Sequence, residues 1–494
     1  MKRRTLCAAG LGALAAAALP YRRTAAAASS ADVTAVGLDR RTLSLKASDL
    51  AQLRASIRGE VITADQDNYD TARRLWNAAF DKKPAVILRC AGAADVIQGV
   101  SFAAAHGILT AVRGGGHSYS GQSGCDGGFV IDVSPMRAVR VDPIAKLVYV
   151  ESGTLLGSVD RETQAFGLAL PLGTVADTGI AGLTLGGGQG RLGKRLGLTI
   201  DNLAGVDLVT PDGHWLRASA DENSDLYWAL RGGGGNFGVA TNFTYRLHEV
   251  APAMFGGTLT FPYAGARKLL RAYADICASA PDDLHLGAAL TVDEKNDRVV
   301  EVEALYSGPL AEAARVLAPL RKLGKPLKDE LGPKSYLQIQ QSLDASGPSP
   351  YGIYLKGGLI YGLSPALIDS VVDYIEANPS RSFDVQLYTL AGAIGRVPPQ
   401  DTAYWGRGAS HAILLATFWK VPGDGAEANA SWVRGAWAKF EPYTRGSYLN
   451  LAGAEDRDRV HAGYGENYAR LAKIKKRYDP ANLFRLNANI VPAT

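Results

Sequence analysis

The sequence predicts an α+β protein of more than one domain, and three observations lead there. At 494 residues with 47% hydrophobic side chains, the chain exceeds one ordinary core and has a globular composition. Residues 84–113 carry a β-α-β pattern, followed by short β-rich runs cut by glycines. Past Pro252 amphipathic helical stretches alternate with strand-like runs.

The N-terminus comes first. Residues 1–4 are basic, residues 6–20 are apolar, and "TAAAASS" suits a small-residue cleavage site, so residues 1–30 read as a signal peptide. The apolar run is shorter than the roughly 20 residues that span a bilayer, so no membrane anchor is expected after cleavage. Arg3 and Arg4 ahead of an Ala/Gly-rich segment resemble a twin-arginine signal, which exports proteins already folded; a general secretory signal is the alternative. Either one makes the protein secreted or periplasmic. The formal net charge of +5 rests on Lys2, Arg3, Arg4, Arg22 and Arg23. Beyond residue 30, acids and bases balance, which argues against a nucleic-acid surface. Cys7 lies in the signal, and Cys90, Cys125 and Cys277 allow one disulfide at most. No two cysteines have metal-ligand spacing, and no metal is expected.

Next comes the β-α-β unit: "PAVILRC", a helix "AADVIQGVSFAAAHG" closed by Gly107, and "ILTAV". The runs "GGFVIDVS", "LVYVESG", "GVDLVTPDGHWLRAS" and "VATNFTYRLHEV" predict a largely antiparallel second subdomain. After Pro252, helices are expected in "AGARKLLRAYADICAS", "SPALIDSVVDYIEAN" and "ANASWVRGAWAKF". Strands are expected in "RVVEVEALYS", "SFDVQLYTL" and "HAILLATFW", which gives a sheet covered by helices. A last amphipathic helix, "YGENYARLAKIKKRY", stops at Asp479-Pro480, with Lys473, Lys475, Lys476 and Arg477 assigned to its solvated face. Tyr354, Trp405, Trp419 and Trp432 read as core or pocket wall, and His411 and His461 as surface or packing residues.

Three glycine clusters remain, at 113–117, 186–190 and 231–238. Such runs permit positive φ and bring backbone N–H groups against a ligand such as a pyrophosphate, although tight turns would also use them. Gly188, Gly190 and Gly193 match G-x-G-x-x-G with Asp207 beyond, but the dinucleotide fold needs a helix directly afterwards. "RLGKRLGLTIDN" carries Gly193 and Gly197 and is expected to run into a strand-like hairpin, so that reading is rejected.

Taken in order, "PAVILRCAGAADVIQGVSFAAAHGILTAVRGGGHSYSGQS", "GLTLGGGQGRLGKRLGLTIDNL", "LYWALRGGGGNFGVAT" and "YGENYARLAKIKKRYDPANLFRLNANI" resemble the berberine-bridge-enzyme-like oxidases of the vanillyl-alcohol-oxidase (PCMH-type) flavoprotein superfamily. The resemblance implies a discontinuous two-subdomain FAD-binding domain at 31–250, completed by 446–494. It also implies an α+β substrate domain at 251–445 whose antiparallel sheet lies over the flavin. It implies FAD, with Arg113, Gly114, Gly115 and Gly116 around the pyrophosphate and His117 bonded to the flavin 8α-methyl. A neutral imidazole is a competent nucleophile for that bond near neutral pH. Ser118, Thr174, Thr178, Gly179, Gly182, Gly188, Val239 and Asn450 are assigned to the same cofactor site.

Many members make a second flavin bond from a cysteine whose place Val175 takes here, so a single tether is expected. The implied reaction is hydride transfer from a small-molecule alcohol, phenol, amine or sugar-like substrate, with molecular oxygen as the reoxidant and hydrogen peroxide as product. Thr178 at the oxygen-pocket position leaves a dehydrogenase open. Leu451 replaces the catalytic tyrosine of the sugar-oxidising members, which counts against a sugar oxidase and leaves an inactive flavin-binding protein as a further alternative. Strand alternation puts Gln386, Tyr388 and Leu390 on one face. Tyr388 is the candidate base, with Arg396 and Gln386 as stabilisers of its phenolate, and Tyr448 is the second candidate.

Overall fold

The computed structural model describes residues 31–343, 351–378, 382–423, 425–452 and 457–494. The signal-like residues 1–30, with Arg3, Arg4 and Cys7, lie outside the described residues. Among those described, no helix is long and apolar enough to cross a membrane.

The run "AVILR" is buried on both faces, as parallel strands are, and it forms the centre of a four-stranded sheet. The order there is Glu60–Thr63, Val86–Arg89, Phe129–Asp132 and Thr110–Arg113, the last three mutually parallel. The predicted crossover helix is Ala93–His106, and Gly107 ends it in the left-handed region at φ 58°. One expectation is corrected. Phe129–Asp132 belongs to this sheet, between the two strands of the β-α-β unit, and not to the antiparallel subdomain. All four of its residues are buried, the pattern of an inner parallel strand.

The antiparallel subdomain is a five-stranded sheet: Trp215–Ser219, Leu203–Val209, Val239–Arg246, Leu147–Glu151 and Val139–Asp142. Between the glycine run and Leu203 the chain makes two short turns of helix, Gly193–Leu196 and Thr199–Asp201, before the hairpin. The expected direct entry into strand is therefore delayed by these two separate turns, each too short for a dinucleotide helix.

Past Pro252 the chain builds an antiparallel sheet whose path is Lys328–Asp329, Ala253–Pro262, Arg298–Tyr306, Leu284–Val292, Phe383–Thr389, His411–Lys420 and Tyr351–Ile360, with Gly332–Ser335 also pairing Ala253–Pro262. Helices Ala266–Ser279, Pro365–Glu376 and Ala426–Phe440 bury Leu270, Val371 and Val433 against one face. That leaves the other face for the site. Trp432 joins this core, while Tyr354, Trp405 and Trp419 are half-buried. His411 packs inside the protein and His461 is exposed.

The final helix, Tyr468–Tyr478, packs Leu471, Ala472 and Ile474 into the core of the five-stranded sheet. Leu483 and Phe484 reach the core of the parallel sheet. Lys475 corrects a further expectation: it is fully buried, not solvated, while Lys473, Lys476 and Arg477 are exposed. Its ammonium meets Asp479 at 2.6 Å and donates to the carbonyls of Asn236 and Phe484. Cys90, Cys125 and Cys277 are all buried free thiols.

Candidate active site

A cavity of about 790 Å³ opens between the glycine loops and the free face of the large sheet, a size in the range of cofactor and substrate sites. The strand Thr110–Arg113 delivers one wall, Gly114, Gly115 and Gly116. A second loop, at Thr178 and Gly179, crosses it in backbone contact. A Cβ on Gly115 would stand 2.6 Å from Gly179 Cα, and one on Gly179 would stand 2.4 Å from Gly115 N. Only glycines permit that crossing. At Gly182 and Gly235, also in the wall, a Cβ would meet nothing within 4 Å, so backbone there is bare to the cavity.

His117 lines the cavity directly after this loop. Its ring stacks on Trp76 with centroids 3.9 Å apart, and Tyr119 meets it edge-on at 5.7 Å. Nε2 lies 3.4 Å from Asp177 Oδ1, and Trp76 Nε1 donates to Asp177 Oδ2 at 3.2 Å. Ser118, Thr174, Thr178, Gly179, Gly182 and Asn450 also line the cavity, as do Val175 and Leu451.

Three residues assigned to the cofactor stand elsewhere. Arg113 turns its guanidinium away, donating to the carbonyls of Ala72 and Arg73, and so braces the loop from behind. Gly188 sits behind the wall at φ 80°, where a Cβ would meet Thr199 Oγ1 at 2.1 Å, and its N–H donates to the Tyr448 hydroxyl. Val239 is a buried strand residue of the parallel-sheet core.

The opposite wall is the sheet. Gln386, Tyr388 and Leu390 line it from Phe383–Thr389 and the residue beyond, joined by His285, Glu301 and Glu303 from neighbouring strands. Burial lowers the His285 imidazole to about 4, so it is neutral near pH 7. Burial works to raise the Glu303 carboxyl, but Arg191, 2.6 Å away, and His285 bring it below its ordinary value.

The environment of Tyr388 overturns its expected stabilisers. Arg396 is 62% exposed and pairs with Asp282 at 2.5 Å, and Gln386 donates its amide to Asp384. Burial, then the neighbouring Tyr448 and Tyr404, push the Tyr388 phenol well above its usual value. Tyr388 is thus a neutral phenol near pH 7. Tyr448 is better supplied with donors: its oxygen accepts from Gly188 N–H at 3.1 Å and Asn450 Nδ2 at 2.8 Å. Burial still raises it overall, against those bonds. Asp384, which holds the Gln386 amide but does not itself line the cavity, is raised by burial to about 6 against that bond.

The sequence reading missed Asp384, although the alternation that selected Gln386 and Tyr388 also selects it. It missed Asp177, Trp76, His285 and the Arg191–Glu303 pair, which converge from distant segments without a local signal. Among the described residues, no group of three or more His, Cys, Asp or Glu side chains could hold a metal ion. The donor set fits FAD: a glycine cradle presents bare backbone for a pyrophosphate, and one imidazole stands open beside it.

Residues 84–219 match the family described as FAD binding domain, and residues 447–491 the family described as berberine and berberine like. An uncharacterized FAD-linked oxidoreductase of Bacillus subtilis is 31% identical over 448 residues, 89% of this chain and 98% of that protein. (R)-6-hydroxynicotine oxidase of Paenarthrobacter nicotinovorans is 31% identical over 449 residues, 88% of this chain and 97% of that protein. The crystal structure of 6-hydroxy-D-nicotine oxidase from Arthrobacter nicotinovorans superposes with a TM-score of 0.82 at 29% identity, covering 89% of this chain and 99% of that one. A chitooligosaccharide oxidase reaches 0.83 at 23% identity, covering 90% and 99%, a likeness of fold.

Proposed function

The chain belongs to the berberine-bridge-enzyme-like family of FAD-linked oxidoreductases, and we propose that within it this protein is an exported oxidase of a small-molecule alcohol, phenol or amine, with FAD tethered through His117 and dioxygen as its acceptor. Bound FAD supplies the hydride acceptor. The chain supplies the rest. Gly114, Gly115, Gly116, Gly179 and Gly182 hold the pyrophosphate side. The sheet wall orients the substrate, where the neutral Tyr388 hydroxyl donates to a substrate oxygen or nitrogen and the Gln386 side chain is held by Asp384, which stands outside the cavity lining.

One observation carries this reading: His117 and the pair Gln386 and Tyr388 line opposite walls of one cavity. Leu451, apolar and in that wall, favours a less hydroxylated substrate than a sugar. A second reading, a dehydrogenase with another acceptor, draws on Thr178, whose larger polar side chain lines the cavity beside Gly179.

Anaerobic mixing with a library of alcohols, phenols and amines should bleach the flavin absorbance, and admitting air should restore it with one peroxide per cycle. Reoxidation by quinones but not by air would select the dehydrogenase. No bleaching by any compound would reject the oxidase. Export is tested by changing Arg3 and Arg4 to Lys, which should retain yellow protein inside the cell.

A further inference from the structure

Trp76 and Asp177 pack against His117, which alone of the three lines the cavity. The indole covers the imidazole face at 3.9 Å and 23°. Its N–H is bonded to one Asp177 oxygen at 3.2 Å, and the other oxygen lies 3.4 Å from His117 Nε2, a charge contact in which both atoms are buried and neither makes a hydrogen bond. Trp76 is itself fixed by its backbone N–H, which donates to Gly116 O at 3.1 Å. The His117 side chain is 8% exposed and Asp177 25%.

A carboxylate only accepts, so the nitrogen that faces it is best filled by N–H. With the proton on Nε2, the lone pair is on Nδ1, the nitrogen left toward the cavity. We propose that Asp177 is a positioning residue for flavin attachment: it selects the Nε2–H tautomer of His117 and balances the charge that the imidazole acquires as it is alkylated. The proposal rests on the His117 tether.

A bond forms between Nδ1 and the 8α carbon. That methyl gives up one hydrogen as a proton, and the electron pair of its C–H bond reduces the isoalloxazine. Dioxygen reoxidises the ring and leaves as hydrogen peroxide. During bond formation the imidazole becomes an imidazolium carrying Nε2–H, whose positive charge stands 3.4 Å from the Asp177 carboxylate. Val175 is valine, so no thioether is available there to share the attachment, and the whole burden falls on this one nitrogen.

The test compares wild type, Asp177→Asn, Asp177→Ala, Asp177→Glu, Trp76→Phe and His117→Ala as purified holoproteins. Two quantities are read: total flavin per chain in the native protein, and the fraction that survives acid precipitation, followed over hours in air. The wild type should be fully tethered and His117→Ala untethered. Asp177→Asn and Asp177→Ala should bind flavin but tether it at least tenfold more slowly. Asp177→Glu should recover part of the rate, and Trp76→Phe, which keeps the stack and removes the N–H, should slow attachment less than Asp177→Ala. A fold defect would lower bound flavin without lowering the tethered share of it. If Asp177→Asn fails to bind flavin, the Glu and Trp76→Phe rates decide. Wild-type speed in the Asp177 variants, with His117→Ala untethered, overturns the role of Asp177 alone. Flavin that washes out of the wild type overturns the tether itself.

Discussion

Gly115 and Gly179 cross with their backbones in contact, leaving no room for a side chain on either one: a Cβ would come within 2.6 Å of the other residue's backbone. Alanine at 115 or 179 must separate the two loops that carry His117 and Thr178. Overpacking of this kind costs about 1–3 kcal/mol. The expected outcome is a folded protein of lower melting temperature that retains little flavin, read as the absorbance ratio of flavin to protein. Gly332→Ala, where a Cβ meets nothing, should change neither quantity.

Activity should follow the ionisation of Asp384. Its carboxyl is raised to about 6, so the carboxylate that fixes the Gln386 amide is lost as pH falls through 6 and complete above 7. The rate of anaerobic flavin reduction at low substrate should rise through that window and then level off. Asp384→Asn should abolish this limb while slowing reduction by less than the roughly 10²-fold that marks loss of a general base, because Asp384 acts through Gln386. Tyr388→Phe should leave the pH profile in place and act through substrate affinity, because a phenol pushed well above its normal value does not ionise near neutrality.

Acid stability has a different source. Burial lowers His285 and His411 to about 4 from 6.5, so between pH 6.5 and 4 the unfolded chain binds more protons at these sites than the folded one. Stability therefore falls as pH falls through that window. Asp384 opposes this between 6 and 3.8, since its folded form holds the proton more tightly. Two histidines outweigh one carboxyl, and the melting temperature should drop from pH 6.5 to 4. Replacing both histidines by glutamine should flatten that drop.

Lys475 and Asp479 are both fully buried, and Asp479 also accepts from the N–H groups of Leu483 and Phe484. Removing one partner strands a charge, at a cost of about 3–5 kcal/mol. Lys475→Met should therefore lower the denaturant midpoint sharply, and so should Asp479→Asn. The double variant should lose less than the two losses added together.

How far the sequence reached depended on the range of the signal. The helix Ala93–His106 and its Gly107 stop, the alternating strand Phe383–Thr389 and the glycine loops are written in neighbouring residues, and they are where periodicity puts them. Phe129–Asp132 was placed in the wrong sheet because four buried residues do not say which strands flank them. Arg113 and Val239 fall inside motif segments, yet one braces the loop from behind and the other fills the core. Proximity in the chain is not orientation. The charge of Lys475 alone suggests a solvated side chain, although Asp479 one turn later offers the partner. The Trp76–Asp177–His117 cluster, by contrast, draws on three separate segments, and no local pattern points to it.

Gln122 donates its side-chain amide to the carbonyl of Asn487 at 3.1 Å, and Leu486, Asn487 and Ala488 line the same cavity as His117. The order of synthesis thereby becomes an order of assembly. When His117 leaves the ribosome, the wall that will face it has yet to be translated. A chain ended before residue 486 keeps the nucleophile but lacks this part of the enclosure, so its cofactor should be held less firmly than once residues 486–488 have docked.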